Sequence, residues 1–187
     1  NFQTGYSPDE IAEARKFIAN PDWAAMLKDT QAAIDVVKSV GPVGIVGFCL
    51  AAVSPRRGNE LSGLSAAVGY YGGAVVRFAD EKPKVPTQLH VGEKDQGIPL
   101  TDVDSIRTRR PEVEIHVYPG AQHGFHCDER ASYDKASADL EFERGRDAVH
   151  RLGPVVLVRH VVDVQVDEAG RDDEASRIDR RRPTDRL

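Results

Sequence analysis

Two spacings of apolar residues trade places along this chain: the three- and four-residue steps of helices, and short continuous runs typical of strands buried on both faces. Ser7-Pro8-Asp9-Glu10 forms a capping box and opens a helical pattern that lasts to about Ala19. Asn20-Pro21 interrupts it, because a residue before proline is pushed out of the helical region. Trp23, Leu27, Thr30, Ile34 and Val37 then mark one face of a second helix over about Asp22 to Ser39, which Gly41-Pro42 ends. Val43 to Phe48 reads as a buried strand, followed by strands over Leu64–Tyr71, Val85–Val91 and Val113–Tyr118. A short helix over Thr101–Arg109 separates the last two. A final helix covers Ser137 to Leu152, with Leu140, Val149 and Leu152 among its apolar positions and Gly153 as its stop. Strands alternating with helices predict an α/β fold with a mostly parallel sheet covered on both faces.

The pattern breaks twice. Ala51-Ala52-Val53-Ser54-Pro55-Arg56-Arg57-Gly58 follows a strand where a helix belongs, yet proline and glycine cost about 3 and 1 kcal/mol in a helix interior, so that helix is expected short, distorted or absent. Beyond Pro154, Val155 to Val166 is valine-rich enough for an edge strand, but Asp167 to Leu187 is a dense mixture of Asp, Glu and Arg. Such a segment buries too little apolar surface to offset its ordering entropy. We therefore expect a folded domain over residues 1–153 and a charged, disordered tail over residues 154–187.

Composition narrows the picture. A chain of 187 residues that is 40% hydrophobic suffices for one domain with a sizeable core. A net charge of -5 gives no electrostatic reason to bind nucleic acid or an anionic membrane, so a small molecule or a protein is the expected partner. No apolar stretch is long enough to span a bilayer, and the start lacks a signal-peptide pattern, which predicts a cytoplasmic protein with Cys49 and Cys127 as free thiols. The chain opens with Asn1 and enters a helical pattern almost at once, as expected of a fragment or processed chain.

Chemistry is expected at the ends of strands, where open α/β sheets place their sites. Gly47-Phe48-Cys49-Leu50-Ala51 sets a thiol at a sharp turn after a strand, the arrangement of a nucleophile elbow. Asp95 follows the next-but-one strand and His123 the one after it, so the order along the chain is nucleophile, acid, base. A thiol with an ordinary pKa near 8.5 needs His123 as base or ion-pair partner to present a thiolate. Asp95 would fix the imidazole tautomer and stabilise its cation. The backbone N–H of Leu50 would donate to an oxyanion. His126 competes with His123 for the role of base, Cys127 is read as a bystander, and His90 and His116 as structural. Taken alone, Asp95 could instead be a turn residue before Gly97, the lesser of the two readings. The spacing of His123, His126 and Cys127 fits no zinc site, so no metal is expected.

Four stretches together resemble the dienelactone hydrolase family: Gly47-Phe48-Cys49-Leu50, Ala67-Val68-Gly69-Tyr70-Tyr71-Gly72, Gly92-Glu93-Lys94-Asp95 before Ile98-Pro99, and Tyr118-Pro119-Gly120-Ala121-Gln122-His123-Gly124-Phe125. The resemblance covers roughly Asn1 to Gly153. It implies an α/β-hydrolase-like fold lacking its first strands, with Cys49 as nucleophile, Asp95 as acid and His123 as base. It also implies Tyr70 and Phe125 near the substrate, no cofactor, and hydrolysis of an activated carboxylic ester or enol lactone. A thiolate is easily expelled from a tetrahedral intermediate, so it suits a substrate whose enolate leaves readily and suits amides poorly. The sequence departs from the family at Ala51-Ala52 and Ser54–Gly58, in the missing early strands, in offering only the distant Arg130 in place of the arginine that some members carry soon after the histidine, and in its tail. Two other readings follow from these departures: a non-catalytic fragment that binds a small acid or protein partner, and a redox-responsive protein using Cys49 and Cys127.

Overall fold

The computed structural model describes residues 7–18, 20–49, 61–150 and 156–160. The Ala51–Gly58 stretch, the backbone of Leu50 and the charged run from Asp167 to Leu187 lie outside the described residues.

Helix α1 (Pro8–Ile18) starts on the capping box: the Glu10 amide donates to Ser7 Oγ at 3.4 Å and the Ser7 amide donates to Glu10 Oε2 at 3.1 Å. Helix α2 (Trp23–Val37) is capped by Asp22, whose Oδ1 accepts from the Ala25 amide at 3.0 Å. Leu27, Thr30 and Ile34 are its buried stripe, at the spacing that the sequence predicts. Strands β1 (Val43–Phe48), β2 (Leu64–Tyr70), β3 (Thr87–Gly92), β4 (Glu114–Tyr118) and β5 (Val156–His160) form one sheet in the order β4-β3-β2-β1-β5, with every pair parallel. Helix α3 (Leu100–Arg109) and helix α4 (Lys135–His150) complete the elements, with a 3₁₀ turn over Val75–Phe78.

Alternation along β2 sorts the layers, because successive side chains point to opposite faces. On one face Leu27 and Ile34 of α2 pack with Val43, Ile45, Leu61 and Ala67. Leu89 on the same face packs with Val75, Ala79, Ile106 and Val113 beneath α3. Full burial of a side chain such as Ile34 or Ile45 contributes about 1.5–3 kcal/mol. On the other face α4 covers Val68 and Tyr70, and a Cβ on Gly145 would run into the Tyr70 hydroxyl. Cross-strand register there lines up Phe48, Tyr70, His90 and His116 on four neighbouring strands. Their ring centroids follow one another at 4.7, 4.8 and 5.2 Å.

Two expectations are corrected. Leu140, one of the apolar positions expected to mark the last helix, is 42% exposed, while α4 turns Ala138, Glu141 and Gly145 inward. The missing side chain at Gly145 lets the helix settle close over the Tyr70 ring, which fixes the rotation of the helix. The valine-rich run does supply an edge strand, β5, which pairs with β1, so ordered chain extends into the segment expected as a tail. The charged residues beyond it lie outside the described part.

Candidate active site at the carboxyl ends of the strands

Strands β1 and β2 end alike. Phe48 pairs with Tyr70, and the next residue of each strand has a left-handed backbone, with φ 50 at Cys49 and 40 at Tyr71. Non-glycine residues rarely adopt this conformation, which costs about 1–2 kcal/mol and concentrates at functional sites. At Cys49 it produces the sharp turn expected of the elbow and lifts the thiol out of the strand, leaving it partly exposed. Tyr71 donates its amide to the His90 carbonyl at 2.7 Å and packs edge-on to the His123 ring at 5.3 Å.

Asp95 is positioned by backbone hydrogen bonds that tie the end of β3 to the loop after β4. The Glu93 amide donates to the Tyr118 carbonyl at 3.0 Å, the Lys94 amide to the Ala121 carbonyl at 2.8 Å, and the Glu93 carboxylate accepts from the Gly120 amide at 2.8 Å. Both carboxyl oxygens of Asp95 are engaged. Its Oδ1 accepts from the Gly97 amide at 2.8 Å as a turn residue would, and its Oδ2 lies 2.7 Å from His123 Nδ1. The Asp95 side chain is fully buried and that of His123 is 34% exposed.

His123 sits between two glycines with left-handed backbones, Gly120 at φ 74 and Gly124 at φ 72. The loop is held from outside: Ser132 Oγ donates to the His123 carbonyl at 2.9 Å, and the Arg130 guanidinium lies against Gly124. Nδ1 is engaged by Asp95, which leaves Nε2 for the second side-chain partner of this ring, Cys49. Burial opposes a charge on His123, but the hydrogen bonds to Asp95 and Cys49, with the charges of both, outweigh it and raise the imidazole to about 9. A carboxylate, an imidazole and a thiol in this order can generate a nucleophile and shuttle its proton.

The remaining histidines separate by environment. His90 is fully buried. Its Nε2 donates to Gln88 Oε1 at 2.8 Å, and its Nδ1 accepts from the Tyr118 hydroxyl at 2.8 Å. Burial, followed by the charges of His116, Arg144 and His126, lowers its pKa to about 2, so it stays neutral. His126 is turned away from Asp95 and pairs instead with Glu141, its Nδ1 3.2 Å from Oε2. Glu141 is a buried ionisable group that sequence reasoning missed. Tyr70 and Phe125, expected at the substrate, are 5% and 0% exposed and belong to the packed interior. Phe125 packs against Tyr71 and Tyr118, whereas Tyr71 is the tyrosine that borders His123. Among the described residues no cluster of His, Cys, Asp and Glu is arranged to hold a metal ion, and no helix is long and apolar enough to cross a membrane.

Residues 2–152 match the family described as the dienelactone hydrolase family. The chain is 32% identical over 158 residues to a Synechocystis sp. protein named "Putative carboxymethylenebutenolidase", covering 74% of this chain and 64% of that protein. It is 30% identical over 135 residues to the carboxymethylenebutenolidase of Pseudomonas putida, covering 67% of this chain and 57% of that one. The crystal structure of a "Putative Dienelactone Hydrolase" from Klebsiella pneumoniae superposes with a TM-score of 0.60 at 28% identity, covering 66% of this chain and 60% of that chain. The chain thus spans about six tenths of the length of the relatives it matches.

Proposed function

Because this chain belongs to the dienelactone hydrolase family, we propose that it hydrolyses an activated carboxylic ester or enol lactone through Cys49, His123 and Asp95. The observation that carries this reading is the placement of His123, with Asp95 2.7 Å from one ring nitrogen and Cys49 as its other side-chain partner.

His123 holds the proton that Cys49 has given up, and the Cys49 Sγ thiolate forms a bond to the ester carbonyl carbon as the C=O electron pair moves onto oxygen. Asp95 holds the imidazolium in place. The backbone N–H of Leu50 donates to the oxyanion. When the carbonyl reforms, the bond to the enolate oxygen breaks, and the enolate takes the proton from His123. A thioester on Cys49 remains. Water, deprotonated by His123, attacks that thioester, and the acid product leaves as the thiolate is expelled. The left-handed turn at Cys49 supports the assignment, since it holds the sulfur clear of the strand. Tyr70 and Phe125 contribute through packing beneath the site. No cofactor takes part, and a reducing compartment such as the cytoplasm keeps the thiol available.

The test is hydrolysis of p-nitrophenyl acetate by the chain, by Cys49→Ala and by His123→Ala. A rate that falls to the uncatalysed level in both variants supports the reading. Equal rates in all three proteins overturn it and leave a fold that binds without turnover.

A further inference from the structure

A second histidine–carboxylate pair lies under α4, beside the first. Glu141 is fully buried. Its Oε2 contacts His126 Nδ1 at 3.2 Å, and its Oε1 has no hydrogen-bond partner among the described residues. A buried carboxyl with a bare oxygen is costly, and an apolar side chain of similar volume would fill the same helix face without that cost.

What Glu141 holds is His126, the third residue after His123, in a turn closed by the Cys127 amide donating to the Gly124 carbonyl at 2.9 Å. The His126 ring packs 5.8 Å from Phe48 and 6.1 Å from Tyr70, measured between centroids. Phe48 immediately precedes Cys49 on β1. The pair therefore joins α4 to the turn that carries His123 and to the strand that carries Cys49. The other ionisable groups on this face are Tyr70 on β2, His90 on β3, Glu114, His116 and Tyr118 on β4, and Arg144 of α4, whose guanidinium lies 5.5 Å from the Tyr118 ring centroid.

We propose that Glu141 is a positioning residue: by pinning His126 against Phe48 and Tyr70, it sets the distance between His123 and Cys49. The proposal rests on the Cys49–His123 pairing assigned above. It predicts a conflict between stability and activity at this position, because the bare carboxyl is unfavourable for folding and necessary for alignment.

Glu141→Gln and Glu141→Leu test it through three measurements: kcat and KM for p-nitrophenyl acetate, the thermal midpoint, and the rate at which iodoacetamide alkylates Cys49, followed by mass spectrometry. In Glu141→Gln, kcat should fall about tenfold with KM unchanged, as for a misplaced base. In Glu141→Leu, kcat should fall at least as far while the thermal midpoint holds or rises. Alkylation at neutral pH should slow in both. Wild-type kcat and wild-type alkylation in either variant overturn the proposal, as does a kcat that falls only in step with the thermal midpoint. Should Glu141→Leu not fold, the isosteric Glu141→Gln decides alone. Should the unaltered chain lack esterase activity, alkylation still decides: slowed reaction in the variants supports the positioning role, and an unchanged rate overturns it.

Discussion

A Cβ on Gly92 would stand 2.5 Å from the carbonyl oxygen of Ala121, so the end of β3 and the loop after β4 touch backbone to backbone. That contact brings the segment carrying Asp95 against the segment carrying His123. Gly92→Ala has no flexible side chain to displace and must part the two segments. Overpacking of this kind costs about 1–3 kcal/mol. Urea unfolding should register that loss, together with a fall in ester hydrolysis larger than the lost stability explains. A variant with unaltered stability would show that the segments separate freely.

Gly145→Ala presents two opposed effects. Alanine in a helix interior is favoured over glycine by about 1 kcal/mol, but here its methyl enters the space of the Tyr70 hydroxyl. The Tyr70 ring is stacked on Phe48 and lies against His90, so it cannot swing aside. The clash should win, and Gly145→Ala should lower the thermal midpoint. Adding Tyr70→Phe removes the obstructing oxygen, so the double variant should lose less than the sum of the single losses in a double-mutant cycle. Strict additivity would contradict the contact.

The stability of the fold should depend on pH through His123. An unfolded histidine titrates near 6.5, whereas His123 in the folded chain titrates at about 9. A raised pKa means that the folded state holds the proton more tightly, so this contribution is complete below pH 6.5 and is lost as pH rises through 9. Unfolding free energies measured across that window should decline. His123→Ala should flatten the decline, and so should Asp95→Asn, which keeps a hydrogen-bond acceptor but removes the charge. The same slope in all three proteins would assign the pH dependence to other groups.

Left-handed backbone at Cys49 sets up an inversion of the usual glycine penalty. Glycine ordinarily costs about 0.5–1 kcal/mol relative to alanine, but at φ 50 alanine carries the strain that glycine avoids. Cys49→Gly should therefore be at least as stable as Cys49→Ala in thermal melts, with both inactive. The reverse order would mean that the turn relaxes once the sulfur is gone.

The sheet was legible because strands buried on both faces appear as continuous apolar runs. Val43 to Phe48 is such a run, and β1 has the expected bounds. The α2 stripe was equally legible, since one helical face met one sheet face. Cys49, Asp95 and His123 could be picked out because each follows a strand end, and the sheet itself gathers those ends. Glu141 was hidden by its surroundings in sequence: in Leu140-Glu141-Phe142 the apolar residues look like the inward ones, yet Leu140 and Phe142 are 42% and 45% exposed. The rotation of α4 depends on Tyr70 lying under Gly145, a contact between distant residues that no local periodicity encodes. Which tyrosine borders the His123 ring is hidden for a related reason: at the end of β2, one left-handed residue turns Tyr71 towards it.

Strand β5 gives the molecule a history as well as a shape. Val43 on β1 pairs with Val156, so β1 gains this neighbour only after roughly a hundred further residues have been synthesised. Among the described residues no other strand lies on that side of β1, the strand that leads to Cys49. An open apolar edge is a template for pairing with other chains. A variant of this chain cut back before Val156 should therefore be more prone to pair with other chains.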